Sequence, residues 1–259
     1  PPATSSAASD VYKRQMKNVV IIPSRMASTR LPGKPLMAID GIPMIQRVWQ
    51  QAIESNIGEV FVACSEIEVH DLIVSNGGKA IMTDAHLPSG TDRVHSAFLK
   101  IKNNKDIDVI INLQGDMPLI NPEHILKVID PIKRNFTIGT LATNLHDNEI
   151  NNLNVTKVEV DFKKNETAQA LSFYREVTIE NKNLYHHVGI YSYTPDSINT
   201  FINLPKSKNE IDLSLEQMRA MDSNIPIGVT YVPEVPMSVD TKEDLINIET
   251  NIREHNDKS

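Results

Sequence analysis

The chain has 259 residues, a formal net charge of −7 and an apolar fraction of 40%, which is enough for one large domain or two small ones with a packed core. The acidic balance disfavours a nucleic-acid groove or an anionic membrane surface, since both need clustered Lys and Arg, so a small-molecule partner is expected instead. No apolar run approaches the roughly 18 to 20 residues that span a bilayer, and the single cysteine, Cys64, excludes an intramolecular disulfide, which suits a cytoplasmic protein. Residues 1–15, rich in Ala, Ser and Pro, lack the apolar segment of a signal peptide and read as a disordered or extraneous extension, with Met16 as the natural start of one domain over 16–259.

Val19 to Ile22 is a short β-branched run ending at Pro23, the pattern of a buried parallel strand that feeds a loop. Met44, Ile45, Val48, Trp49, Ala52 and Ile53 recur at helical spacing and predict an amphipathic helix over 43–55 with Pro in its first turn. Next come a strand over 59–63, a helix over 70–75 stopped by Gly77-Gly78, a short strand over 80–82, a helix over 91–101 and a strong strand over 108–114. This strand–helix rhythm implies a doubly wound α/β sheet. Beyond about residue 137 the rhythm changes to strand-like stretches at 138–142, 157–162 and 168–174, which predict an antiparallel insertion. A strand over 187–193, a helix over 213–221, a strand over 227–232 and a closing helix over 242–253, capped by Thr241 or Asp240, complete the reading.

The densest chemical signal is Pro23 to Leu36, directly after the first strand. Arg25, Arg30 and Lys34 stand there beside Gly33, with small hydroxyls at Ser24, Ser28 and Thr29. Guanidinium forks, an ammonium and backbone N–H groups in such a loop can wrap a triphosphate, and ligands of open α/β sheets bind beyond the carboxyl ends of the strands. A solvated basic loop is the plain alternative, and its position after the first strand argues against it. The loop is not a Walker A motif, because Pro35 follows Lys34, nor a dinucleotide fingerprint, because it has one glycine.

Asp116, in Leu113-Gln-Gly-Asp-Met-Pro118 at the end of the strongest strand, faces the same crevice and is a candidate ligand for magnesium, which takes one or two carboxylates plus phosphate oxygens. Its plain alternative is a cap for the helix that begins at Pro122. Asp240 leads into the last helix, where capping is the first expectation and a metal role an addition. His187 stands on a strand, where a satisfied structural histidine is the commoner case, and no zinc-ligand spacing accompanies it. Arg175, ending a strand, is either a carboxylate clamp or a surface charge.

Pro23 to Leu36, Ser89 to Arg93, Gln114 to Asp116, His187 to Tyr191, Leu215 to Arg219 and Val239 to Thr241 together resemble, in order, the motifs of the 3-deoxy-manno-octulosonate (Kdo) cytidylyltransferase family over the chain from Met16 onward. The resemblance implies a three-layer α/β/α, Rossmann-like nucleotidyltransferase fold with a mixed sheet and a smaller β-rich insertion, about residues 137–235, that builds a homodimer. It implies that Arg25, Arg30 and Lys34 hold the phosphates of CTP, that Pro23, Ser89, Thr91, Arg93 and Gln114 lie by the nucleotide, and that Asp116 and Asp240 hold Mg2+. Arg25, Lys34, Asp116 and Asp240 would then be the catalytic set, with Gln114, Arg175, His187, Glu216 and Gln217 facing the acid sugar. Three positions depart from the family pattern: Ser24 stands for a usual Ala, Met117 for a usual Glu, and the segment from Tyr174 to Ile179 lacks the usual proline. The implied reaction is transfer of CMP from CTP to Kdo, for lipopolysaccharide synthesis. The alternatives are another acid sugar, such as an amino analogue of Kdo or a sialic acid, and a non-catalytic nucleotide-binding regulator.

Overall fold

The computed structural model describes residues 16–27, 31–163, 165–178 and 182–256, with side chains given up to Arg253. The extension over 1–15, Ser28, Thr29, Arg30 and Ile179 lie outside the described residues. No helix among those described is long and apolar enough to cross a membrane.

The fold is mixed α/β and centres on β1 (Asn18–Ser24). This strand pairs in parallel with β4 (Gly58–Cys64) on one side and β6 (Val109–Asn112) on the other, and β4 pairs in parallel with β5 (Lys79–Met82). Alternate residues of β1 serve two cores: Val19 and Ile21 join one, Val20 and Ile22 the other, and all four are essentially inaccessible to solvent. A strand covered on both faces has no reason to alternate polar and apolar residues, which is why it reads as an unbroken β-branched run. The amphipathic helix α1 (Met44–Glu54) and α2 (Ile67–Ser75) seal the second core, while α3 (Gly90–Lys100) and α6 (Pro195–Asn203) seal the first. A small hairpin, β2 (Ala38–Ile39) and β3 (Ile42–Pro43), precedes α1; its Asp40-Gly41 turn has φ +49 and +76, the positive values that a two-residue hairpin of this kind requires.

On the far side of β6 the sheet continues through β10 (Leu184–Tyr193), β7 (Ile138–Asn144), β11 (Ile227–Tyr231), β9 (Thr167–Tyr174) and β8 (Lys157–Val160). Of the three stretches read as an antiparallel insertion, β8 and β9 pair antiparallel, whereas β7 pairs with neither and lies between β10, antiparallel to it, and β11, parallel to it. The first half of β10 also pairs with β8, so these five strands close on themselves around Val158, Val160, Phe162, Ala170 and Phe173. Between Val188 and Tyr191 the ladder with β7 shifts register, which lets one long strand serve β8 at its start and β6 at its end.

The helix read over 213–221 is instead two short helices, α7 (Lys208–Leu213) and α8 (Met218–Asp222). Ser214 sits between them at φ +52, a left-handed conformation that stops α7, and the carboxylate of Glu210 accepts the backbone N–H of Ser207 at the other end. Two short helices, α4 (Pro122–Lys127) and α5 (Asp130–Lys133), follow β6, and α9 (Lys242–Asn256) closes the chain.

Candidate active site

Beyond β1 the basic loop turns back on itself. Gly33, at φ +73, donates its N–H to the Met26 carbonyl at 3.2 Å, and Lys34–Leu36 form a single 3-10 turn with Pro35 at its second position. Lys34 thereby reaches two carboxylates distant in sequence: its Nζ lies 2.9 Å from Asp116 Oδ2 and 3.2 Å from Asp240 Oδ1. The lysine side chain is only 13% exposed, so this is a partly desolvated triad rather than a surface ion pair.

Specific packing brings the carboxylates together. A Cβ on Gly115 would lie 2.9 Å from the Pro23 carbonyl oxygen, so only glycine lets the loop after β6 approach the loop after β1 this closely. Val239 donates its backbone N–H to the Asp116 carbonyl at 2.9 Å, and its side chain is fully buried with Leu31, Ile39, Met44 and Ile248. That small apolar cluster fastens the start of α9 beneath the basic loop. Thr241, not Asp240, supplies the helix cap: its hydroxyl accepts the Asp244 N–H at 3.2 Å, and the Asp244 carboxylate accepts the N–H groups of Asp240 and Thr241. Burial opposes ionisation of Asp244, yet these hydrogen bonds hold its carboxyl below the usual range. Nor does Asp116 cap the helix at Pro122, since the Asn121 side chain takes the Glu123 N–H. Both plain readings of the two aspartates give way, because neighbouring residues do the capping.

Around the triad lies a cleft of about 300 Å³, lined by Pro23, Ser24, Arg25, Lys34, Ser89, Gly90, Arg93, Gln114, Gly115 and both aspartates. Ser89 caps α3, accepting the Asp92 N–H at 3.1 Å, so the positive end of that helix opens onto the cleft. Two buried polar atoms on this lining, Ser24 Oγ and one terminal nitrogen of Arg93, have no hydrogen-bond partner among the described residues. Such groups are costly to leave unmade and here stand ready for a ligand. Burial pulls the Arg93 guanidinium below its ordinary pKa, with Glu66 opposing the shift. Among the candidate phosphate ligands, Arg25 is exposed at the rim and Arg30 lies outside the described residues.

A second cavity, about 510 Å³, shares Asp240 with the cleft and is lined by Leu153, Asn154, Thr156, Arg175, Glu176, Leu213 and Ser214. Arg175 donates to the carbonyls of Leu153, Asn154, Leu213 and Ser214 at 3.2–3.5 Å, tying three segments together. Buried Lys157 adds a second tie, bonding the carbonyls of Asn152 at 2.6 Å and Arg175 at 3.1 Å; burial, then Arg175, pulls its pKa down. The structure thus makes Arg175 a strut of this cavity as well as part of its lining.

A third cavity, about 280 Å³, adjoins the second through Asn154 and Thr156 and reaches His187. His187 is buried against Phe173 and bonds Thr140 Oγ1 at 3.0 Å; burial, helped by His186 and Arg175, pushes its pKa down to about 3, so the ring is neutral at physiological pH. Gln217 is buried at the start of α8 and lines none of these three cavities, and Glu216 turns inward to Thr91 at 2.6 Å. Sequence reasoning missed Lys157, Thr140 and the carbonyl-bearing segments 153–154 and 213–214. It also passed over Asn112, whose polar side chain inside the apolar run of β6 was the one available signal.

The parallel half-sheet and its cleft of cations and paired carboxylates define the class: the model of the family described as cytidylyltransferase matches residues 19–227. At 40% identity over 235 residues, the chain resembles the 3-deoxy-manno-octulosonate cytidylyltransferase of Paramagnetospirillum magneticum, covering 89% of this chain and 96% of the relative. The enzyme of the same name from Parvibaculum lavamentivorans is 42% identical over 230 residues, 88% of this chain and 89% of the relative. A solved structure described as CMP:2-keto-3-deoxy-manno-octonic acid synthetase complexed with CTP superposes with a TM-score of 0.84 at 34% identity, covering 92% of this chain and 99% of the other. The chain belongs to the 3-deoxy-manno-octulosonate cytidylyltransferase family.

Proposed function

We propose that this protein transfers CMP from CTP to 3-deoxy-manno-octulosonate, releasing pyrophosphate and forming CMP-Kdo. One observation carries the reading: Lys34, Asp116 and Asp240, far apart in sequence, converge on the cleft beyond β1 and β6. A mere nucleotide binder has little need of two carboxylates beside a triphosphate. In this reading the anomeric hydroxyl of the sugar attacks the α-phosphate in line. Lys34 and Arg25, with Arg30, meet the charge that gathers on the departing pyrophosphate, and the start of α3 with Ser89 and Gly90 frames the nucleotide. The second cavity, joined to the cleft at Asp240, is the natural seat for the acceptor sugar, with Arg175 in its wall.

Asp116 and Asp240 are oxygen donors of the kind Mg2+ prefers, and no group of three or more His, Cys, Asp or Glu competes as a metal cage among the described residues. Two carboxylates suit a magnesium ion whose other ligands are phosphate oxygens and water. Bound there, the ion would offset charge on the α-phosphate and lower the pKa of the attacking hydroxyl. The layered arrangement with helices on both faces of the sheet, a homodimer built by the β-rich segment, and a cytoplasmic setting belong to the same reading. Pyrophosphate release from CTP, measured with Kdo, its amino analogue and a sialic acid, tests it: release should be fastest with Kdo, and none with any of the three would overturn the reading.

A further inference from the structure

Four polar side chains run in single file from outside the cleft to its lining. Thr91 Oγ1 donates to Glu216 Oε2 at 2.6 Å, Asn112 Nδ2 donates to Thr91 Oγ1 at 3.4 Å, and Gln114 Nε2 donates to Asn112 Oδ1 at 3.0 Å. Asn112 is completely buried and Thr91 is 3% exposed, so no solvent can replace a missing partner in the middle of the chain. Burial also raises the phenol of Tyr193 so far that its proton stays in place.

The direction of this chain follows from chemistry. A carboxylate only accepts, so Glu216 obliges the Thr91 hydroxyl to donate toward it. Having spent its single proton, Thr91 can only accept from Asn112, which turns the Asn112 amide nitrogen toward Thr91 and its oxygen toward Gln114. That oxygen requires an N–H from Gln114, and the Gln114 Oε1 is left pointing away from Asn112, toward Gly90 on the cleft, where it would lie 3.7 Å from a Cβ at that position. Reversing the Gln114 amide would set two oxygens against each other at some step of the chain, in an environment where an unmade hydrogen bond is expensive.

We infer that Glu216, Thr91 and Asn112 are positioning residues that fix the Gln114 side-chain amide with its carbonyl oxygen toward the cleft, so that Gln114 selects a hydroxyl donor on the substrate. The assignment of Gln114 to a substrate hydroxyl rests on the proposed transferase reading; the orientation of its amide does not. Glu216 acts in this scheme through Thr91, three side chains behind the cleft.

A double-mutant cycle with an NMR readout tests the chain. Thr91→Val, which keeps shape and loses the hydroxyl, and Gln114→Met should each lower kcat/KM by about tenfold or more. The double variant should fall no more than about twofold below the poorer single one, because residues that act as a unit are not additive. Thr91→Ser restores the hydroxyl and should recover most of the loss. In the protein without substrates, the side-chain amide protons of Gln114 should exchange with solvent about tenfold or more faster in Thr91→Val than in wild type or Thr91→Ser. Glu216→Gln, at a partly exposed position, replaces the acceptor-only carboxylate with an amide that can also donate, which frees the direction of the Thr91 hydroxyl, and it should speed the same exchange should Thr91→Val fail to fold. Additive losses in the cycle, or Gln114 amide exchange unchanged in both Thr91→Val and Glu216→Gln, would overturn the inference. A wild-type protein inactive with CTP and Kdo would defeat the transferase reading alone, since the exchange measurement still decides the orientation.

Discussion

The two halves of the sheet solve the problem of building a binding surface differently. From β5 to β6 the strands are parallel, and each functional loop leaves the same edge, so Ser24, Arg25 and Lys34, Ser89, Gly90 and Arg93, and Gln114 to Asp116 arrive at the cleft through topology and the close approach at Gly115. From β10 to β8 the directions are mixed and five strands close on themselves, so no common edge gathers the loops. There the second cavity is assembled by side chains that reach across, Arg175 and Lys157 holding backbone carbonyls that lie up to 39 residues away from them in sequence. Topology positions the cleft, and charged struts position the second cavity.

Breaking the first half should cost activity with little stability. Asp116→Asn or Asp240→Asn keeps shape and removes one formal charge; loss of roughly 3 to 5 kcal/mol of transition-state stabilisation lowers turnover by on the order of a hundred- to several-thousandfold. Melting temperatures of both variants should stay near wild type, as Thr241 and Asn121 do the capping. Breaking the second half should cost stability first. Arg219 and Glu210 form a buried two-pronged ion pair beneath Phe201, with the guanidinium 4.8 Å from the ring centroid. Glu210→Ala leaves that buried guanidinium with the longer carboxylate contact to Glu216 at 3.8 Å and should destabilise by about 3 kcal/mol in denaturant unfolding.

Lys157→Met sharpens the contrast. It removes the ammonium's hydrogen bonds to the part-buried carbonyls of Asn152 and Arg175, costs about 1 kcal/mol of stability, and should raise KM for the acid sugar several-fold while leaving the affinity for CTP unchanged. Kinetics with each substrate varied in turn check the split; equal effects on both substrates would erase the distinction between the halves. The smallest effect concerns pH. His187 has a pKa held near 3 in the fold, against about 6.5 unfolded, so the unfolded chain binds the extra proton first. Stability from its burial is fully present above about pH 6.5 and is lost as pH falls toward 3, with a slope of at most about 1.4 kcal/mol per pH unit. Denaturant unfolding at pH 7 and pH 5 should show that loss, and His187→Gln should flatten it.

How much of this was legible in the sequence follows the same divide. The loop from Pro23 to Leu36 and the strand into Asp116 are contiguous motifs in a repeating strand–helix rhythm, and their meeting needs only the fold class and a glycine at 115. The helix over 213–221 was misread because Leu213, Leu215, Met218 and Met221 mimic helical spacing, while Ser214 takes a left-handed conformation that serine rarely signals. The struts were invisible for a different reason: a lysine at the start of a strand and an arginine at the end of another carry no local mark of the carbonyls they will bind. Asn112 did carry one, a polar residue in the middle of a buried strand, but its partners come from α3 and the loop beyond β6.

The central claim is that Asp116 and Asp240, joined at Lys34, work as one catalytic unit. Turnover at saturating CTP and varied magnesium, compared among Asp116→Asn, Asp240→Asn and the double variant, tests it most directly. The double variant is expected to be little worse than the poorer single one, with all three melting near wild type. Turnover within about tenfold of wild type for either single variant, or losses that multiply in the double, would contradict the claim.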